Sequence, residues 1–228
     1  MNDLAQQLIE ELQCETVFTI PVLGGIPVSE AVVVTWIIMA VLVIAAFILT
    51  RNLKVDHISK RQAVAESIVT GLMNMVQGMV GEKGKAYVPY LTTVMLYIGV
   101  SNIIGLFGFK SPTKDLRVTV ALALMSIILI EAAGIYHKGV KRWLHGFVEP
   151  VAIVTPINIL EVVTKQLSLC MRLFGNVLGA FVIMELLKMI LPVGLPVVFS
   201  LYFDIFDGLL QAYVFVFLTS LYIDEITE

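Results

Sequence analysis

Three long, apolar runs with almost no charge restrict the fold of this chain more than any other feature. Residues 31–50 and 86–109 carry no charged side chain, and residues 118–136 carry only Glu131. A helix needs about 20 predominantly apolar residues to cross the hydrocarbon core of a bilayer. Charged residues make up only 14% of the chain, against about 25% in a typical soluble domain. The sequence therefore predicts an all-α, polytopic membrane protein.

We expect a single membrane domain, residues 1–228, with about five transmembrane helices. The predicted segments are an outer N-terminal segment (1–27), a first span (28–50), an interfacial amphipathic helix (59–83), two spans (86–109 and 118–137) and a helical hairpin (157–191 and 195–223). The amphipathic helix is predicted because apolar residues recur there at helical spacing between polar ones. The hairpin differs from the earlier spans because it places polar residues at membrane depth.

The distribution of Lys and Arg predicts the orientation, because cytoplasmic loops carry an excess of these residues. With the N-terminus outside, nine basic residues fall on the inner side: Arg51, Lys54, Lys60, Arg61, Lys83, Lys85, Lys138, Lys141 and Arg142. The outer loop then holds only Lys110, Lys114 and Arg117. We therefore expect an outer N-terminus and a cytoplasmic C-terminus.

Several functional classes are disfavoured by composition and motifs. A net charge of −3 argues against nucleic acid as a partner. Cys14 and Cys170 lie far apart with no metal-ligand or disulfide spacing, so we expect no metal site. The chain has no GxxxxGK[ST] phosphate-binding loop. We therefore expect no cofactor and no phosphoryl chemistry in this chain.

Arg172 is the most informative single residue. It lies inside the apolar segment 157–191, where an arginine at the bilayer centre costs roughly 2.5–3.5 kcal/mol on insertion scales. Arginine is not deprotonated in proteins, so it cannot relay protons. It can repel cations and attract a carboxylate, and we interpret Arg172 as a fixed functional charge.

Helical spacing places polar and small residues on the same side of the predicted helix as Arg172. Ser168, Arg172, Asn176 and Gly179 share one stripe of the predicted helix. Gly175 and Gly179 form a small-xxx-small pair of the kind that lets another helix approach closely. This face predicts a docking surface for a partner helix that carries an acid.

The last predicted helix supplies a complementary polar stripe. Asp204, Asp207 and Gln211 recur at steps of three and four residues. Acids within membrane segments commonly mark ion or proton pathways. We interpret the two aspartates as candidate relay groups and Gln211 as a neutral hydrogen-bonding step, with Glu185 as a third candidate acid.

Structural alternatives remain open at each of these positions. Arg172 could instead pair with Asp204 or Asp207 to fix the bundle. Glu185 and Lys188 have the i,i+3 spacing of a simple ion pair. Glu131 lies near the end of its span, where it could extend to the membrane surface.

Two strings in the hairpin resemble a known family. Residues 156–161, PINILE, are followed by residues 167–176, LSLCMRLFGN. These resemble the signature helix of F-type ATP synthase subunit a, in its bacterial and chloroplast branch. The resemblance extends to Ser101–Leu106, to Gln211–Ala212 and to Tyr222–Ile223, and it covers most of the chain after about Glu66.

The resemblance implies the role of the stationary ion-translocating subunit of a rotary ATP synthase in a bacterial plasma membrane. Arg172 matches the essential arginine that faces the rotating c-ring, and Asn176 and Gln211 match polar positions along the ion path. The implied partners are the c-ring of proteolipid subunits, b-type peripheral stalk subunits, the remaining synthase subunits and membrane lipid.

One departure from the family pattern concerns the relay acid. Many relatives carry a glutamate nine residues after the arginine, where this chain has Phe181. The family also uses an acid or histidine seven residues before the glutamine, which is Asp204 here. The relay role is therefore expected to fall on Asp204, with Asp207 and Glu185 as alternatives.

Other functional classes fit less well. A free-standing secondary transporter usually shows internal repeats and paired broken helices, and the sequence shows neither. A membrane-embedded hydrolase would need a motif such as HExxH, which is absent. A sodium-coupled version of the same synthase subunit remains open, because the coupling ion depends chiefly on the c-ring.

Overall fold

The computed structural model describes residues 16–20, 26–51, 59–107, 109, 111–148, 152–190 and 194–227. The strands and helices are β1 (Thr16–Ile20), β2 (Ile26–Ser29), α1 (Glu30–Thr50), α2 (Lys60–Gln77), α3 (Val88–Ile103), α4 (Leu116–Lys138), α5 (Val140–Gly146), α6 (Thr155–Ile190), α7 (Leu195–Ser200) and α8 (Gly208–Thr227). Short 3₁₀ turns cover Glu82–Tyr87, Ile104–Phe107, Pro112–Lys114 and Ala152–Val154, and a π-helical segment covers Leu201–Asp207.

Within the described ranges, five segments are long and apolar enough to cross a membrane. They are Glu30–Thr50, Glu82–Phe107, Leu116–Lys138, Thr155–Lys188 and Val198–Thr227. Helices suit this environment because they satisfy every backbone hydrogen bond within the segment. The predicted all-α polytopic fold is confirmed. The antiparallel pair of β1 and β2 was not predicted, and most of the N-terminal segment 1–27 lies outside the described residues.

The amphipathic segment is shorter than the sequence suggested. Ser59 caps the start of α2 by accepting a hydrogen bond from the Gln62 amide at 3.3 Å. Gly78 closes its other end through the backbone bond to Asn74. The helix therefore spans Lys60–Gln77, whereas the prediction continued to residue 83. Val64, Ile68 and other apolar side chains along α2 are exposed.

The two arms of the predicted hairpin are described as helical on either side of residues 191–193. α6 begins two residues before the predicted start and ends at Ile190. The second arm is not a uniform α-helix, because α7 passes into the π-helical segment before α8 begins at Gly208. This π-helical segment carries Asp204 and Asp207, and the sequence pattern did not predict it.

The chain divides into two compact units. The first unit comprises Met1–Leu42, Tyr97–Thr119 and Arg172–Ala212, and the second comprises Val43–Leu96, Val120–Met171 and Tyr213–Glu228. In the first unit, Ile38, Ile98 and Leu173 are fully buried. A buried polar contact also links its parts, because Ser29 donates to the Asp115 carboxylate at 2.9 Å.

The second unit has its own apolar interior and its own polar ties. Leu91, Ala133 and Phe215 are among its fully buried side chains. Gly134 permits a close approach, since a Cβ there would lie 2.9 Å from the side chain of Ile226. Such small-residue contacts are the usual way for membrane helices to pack tightly.

Candidate ion path

A cavity of about 690 Å³ lies within the first unit, lined by residues of α3, α6, α8, the π-helical segment and the turn before α4. Its charged lining residues are Lys114, Glu185, Lys188, Asp204 and Asp207. Charged groups in a segment that crosses a membrane are costly unless they are paired or face water. A cavity of this size has room for water beside these side chains.

Asp204 and Asp207 reach this cavity from the π-helical segment. Asp204 is half-buried and accepts a hydrogen bond from the Ser200 hydroxyl at 2.8 Å. Among the described residues, neither aspartate has an ion-pair partner. Both carboxylates are therefore free to bind and release a cation without breaking a salt bridge.

Glu185 is placed differently from the two aspartates. Its carboxylate contacts Lys188 Nζ at 2.7 Å on the same helix, α6. The alternative interpretation of these two residues as a simple i,i+3 pair is confirmed. Because a paired carboxylate must lose its lysine to take up an ion, Glu185 is a weaker candidate relay than Asp204 or Asp207.

Lys114 was not singled out from the sequence, where it looked like an ordinary loop base. It is buried, and its ammonium lies 3.1 Å from the centroid of the Phe181 ring. A cation over an aromatic face is attracted by the ring quadrupole. Position 181 thus holds an aromatic ring under a lysine, and only tertiary structure could reveal this contact.

Asn176 and Gln211 form the polar contact between α6 and α8 in this unit. Asn176 Nδ2 donates to Gln211 Oε1 at 2.7 Å. Gln211 is 2% exposed and lines the cavity, and its Nε2 has no hydrogen-bond partner among the described residues. A buried donor without a partner costs roughly 1–3 kcal/mol, so this amide favours an acceptor such as water in the cavity.

Arg172 lies on the exposed face of α6, one turn before Asn176. None of the described residues forms an ion pair or hydrogen bond with its guanidinium. The alternative in which Arg172 pairs with Asp204 or Asp207 is therefore not what the structure shows.

The glycines beside Arg172 leave the helix surface open. A Cβ added at Gly175 or Gly179 would meet nothing within 4 Å. Ser168, one turn before Arg172, is also exposed and does not line the cavity. Among the described residues, this face of α6 therefore presents an unpaired cation beside two glycines, and small residues of this kind let another helix approach closely.

The second unit holds a smaller cavity of about 460 Å³. Each glutamate that lines it has an ion-pair or hydrogen-bond partner. Lys165 Nζ contacts Glu161 at 2.9 Å and Glu225 at 2.8 Å. Glu131, whose role the sequence left open, accepts a hydrogen bond from the Trp143 indole at 2.8 Å. The part of the chain that the structure describes contains no group of three or more His, Cys, Asp or Glu side chains suited to a metal ion.

Comparison with known proteins gives a consistent result. The family model for the ATP synthase A chain matches residues 32–224. The chain is 34% identical over 203 residues to ATP synthase subunit a of Moorella thermoacetica, covering 88% of this chain and 92% of that protein. It is 30% identical over 200 residues to ATP synthase subunit a 1 of Crocosphaera subtropica, covering 87% and 86%. It is also 34% identical over 215 residues to a sodium ion specific subunit a of Propionigenium modestum, covering 87% and 74%.

Proposed function

Because the chain belongs to the ATP synthase A chain family and is a multi-pass membrane protein, we propose that it is the stationary ion-translocating subunit of a rotary ATP synthase. In this proposal it couples ion flow across the bacterial plasma membrane to ATP synthesis on other subunits. Arg172 is the observation that carries the proposal, since its guanidinium lies on an open helix face with no acid partner among the described residues.

The partner of Arg172 is then a carboxylate on a neighbouring rotor, the c-ring. A charged carboxylate is expensive to move through lipid, whereas a neutral one is cheap. Arg172 stabilises the ionised acid as it passes and stops ions from leaking directly between the two sides. Gly175 and Gly179 support this role because they leave room for the rotor helix.

The cavity of the first unit is the proposed half-channel that loads the rotor. An ion enters from the outer side, exchanges on Asp204 or Asp207, and passes the Asn176–Gln211 amide pair to reach the rotor acid. A second half-channel releases the ion to the cytoplasm, where we place the C-terminus. Each elementary charge that falls through the membrane yields about 2.3 kcal/mol per 100 mV, so several ions are needed for each ATP.

The experiment replaces Arg172 with Ala and measures ion-driven ATP synthesis in vesicles that contain the whole complex. We expect a loss of roughly 100-fold or more, the scale seen when a group that stabilises a key charge is removed. Arg61→Ala is the matched control, since Arg61 is an exposed arginine on α2. Normal synthesis by an assembled Arg172→Ala complex would refute the proposed role.

The coupling ion is tested on the same vesicles. We propose protons, which the carboxylates of Asp204 and Asp207 in the first cavity can take up and release. The relative named as sodium ion specific favours the alternative. Synthesis that responds to a sodium gradient at constant pH, and that resists a proton-carrying uncoupler, would replace protons with sodium.

A further inference from the structure

Asn102 joins the turn before α4 to the backbone that carries both aspartates. Its Nδ2 donates to the Gly208 carbonyl oxygen at 2.9 Å, and its Oδ1 accepts from the Thr113 hydroxyl at 2.8 Å. Asn102 is 5% exposed and Thr113 is fully buried. Both ends of the amide are therefore used, which fixes its orientation, because only Nδ2 can donate to a carbonyl.

Gly208 is the residue at which the π-helical segment ends. Its amide donates to the carbonyl of Phe203, five residues earlier, while its own carbonyl accepts from Asn102. A Cβ at Gly208 would lie 2.8 Å from Asn102 Cβ. The two backbones can approach this closely only because residue 208 is a glycine.

The turn before α4 supports Asn102 from its other side. The Ser111 hydroxyl donates to the Ser101 carbonyl at 2.8 Å and lies 2.8 Å from the Thr113 hydroxyl. These bonds connect the end of α3, the turn and the π-helical segment. A π turn inside an α-helix is uncommon and is frequently found at functional sites. The hydrogen bonds that hold this π turn therefore also influence where Asp204 and Asp207 lie.

We infer that Asn102 is a positioning residue for Asp204 and Asp207, an inference that rests on the proposed function. By holding the Gly208 carbonyl it keeps the π turn in place, so that both aspartates line the same cavity as Gln211. A π turn holds one residue more than an α turn. Its loss would rotate Asp204 relative to Gln211 by roughly 100° about the helix axis, the angle per residue of an α-helix.

The test measures ATP synthesis, per assembled complex, against the pH on the loading side of the vesicles. For Asn102→Ala we expect a loss of roughly tenfold, the lower end of the effect of removing a group that orients a reacting one. We also expect the midpoint of the pH profile to move. The moved aspartates would take new distances from the other charged lining groups, Lys114, Lys188 and Glu185.

Two further variants change the two residues that hydrogen-bond to Asn102. Thr113→Val removes the donor to Asn102 Oδ1 and should move the profile by a smaller amount. Gly208→Ala pushes Asn102 and the π-helical segment apart. Its effect should not add to that of Asn102→Ala, because residues in one network show coupled effects.

Matched controls separate positioning from general stability. Thr92→Val removes a buried hydroxyl on α3 that donates to the Val88 carbonyl of its own helix. Gly71→Ala adds a methyl where nothing lies within 4 Å. Both should leave the pH profile unchanged.

A lower yield of assembled Asn102→Ala complex, with the rate per complex and the pH profile unchanged, would overturn the inference. That result would leave the proposed function intact so long as Arg172→Ala abolishes synthesis. Normal synthesis in Arg172→Ala would refute the proposed function instead.

Discussion

The two cavities differ in how many of their acidic side chains form ion pairs. In the first unit, Asp204 and Asp207 line the cavity without an ion-pair partner among the described residues. In the second unit, Glu161 and Glu225 line a cavity of their own, but both contact Lys165. The first cavity therefore holds two aspartates outside an ion pair beside the paired Glu185, whereas Glu161 and Glu225 of the second cavity are both paired.

We interpret the unpaired aspartates of the first cavity as ion carriers and the paired glutamates of the second cavity as structural residues. A carboxylate held by a lysine is stabilised as an anion, and taking up a proton or metal ion would cost that interaction. Asp204 accepts a hydrogen bond from the Ser200 hydroxyl and forms no ion pair among the described residues, so its carboxylate loses less stabilisation on neutralisation. The contrast predicts that ion flow depends on the aspartates of the first unit and tolerates changes at Lys165.

The largest effect is expected from removing the charge of Asp204. Asp204→Asn should lower ion-driven ATP synthesis per assembled complex by roughly 100-fold, the scale of a positioned proton-transfer group, because the amide cannot bind and release a proton. Synthesis in vesicles gives the measurement. Asp224→Asn is the control, since Asp224 belongs to the same long segment and lines neither cavity.

Unchanged synthesis in Asp204→Asn would move the relay role to Asp207. Asp207→Asn should then give the large loss that Asp204→Asn failed to give. If neither substitution alters synthesis, the contrast between the two cavities has no functional meaning.

An intermediate effect is expected from placing an acid at position 181. Phe181→Glu places a carboxylate under the Lys114 ammonium, which now lies over the Phe181 ring. In an Asp204→Asn background it should recover synthesis by a few fold only, because the attraction of two opposite charges at this distance holds the new acid in its ionised form. Phe181→Gln, which adds no charge, should recover nothing.

A combined variant sharpens this expectation. Adding Lys114→Met should increase the recovery produced by Phe181→Glu, because the new carboxylate then lacks the lysine. A recovery that is the same with and without Lys114 would show that the lysine does not limit the acid at position 181.

The smallest effect is expected from Lys165→Gln in the second unit. Lys165 joins Glu161 and Glu225, and partly exposed ion pairs of this kind contribute about 0.2–1 kcal/mol each. We expect a modestly lower unfolding temperature of the detergent-solubilised complex and nearly normal synthesis per complex. Synthesis reduced as strongly as in Asp204→Asn would erase the distinction between the two cavities.

Much of the fold follows from periodicity and chemistry along the chain. The uncharged runs predicted the membrane spans, and the i,i+3 spacing indicated the pair of Glu185 and Lys188. These features are local, so a single helix suffices to specify them. The four residues that helical spacing placed on one stripe, Ser168, Arg172, Asn176 and Gly179, are all exposed.

The features that sequence reasoning missed all depend on contacts between distant residues. Lys114 reaches Phe181 and Asn102 reaches Gly208 only after α3, α6 and the π-helical segment have come together. The π-helical segment was not predicted because the steps of three and four residues between Asp204, Asp207 and Gln211 already fit a regular α-helix. Asn102 belonged to a string that resembles the family, but nothing local to it indicated what its amide would hold.

The bare surface at Gly175 and Gly179 has a mechanical consequence. Side chains that interlock across two helices must be lifted out of their holes whenever one helix slides past the other, and each such step raises a barrier. Gly175 and Gly179 carry no side chain that could interlock with a neighbouring helix. If the proposed function holds, a rotor helix would meet less steric resistance at these two positions than at a helix face fully covered by side chains.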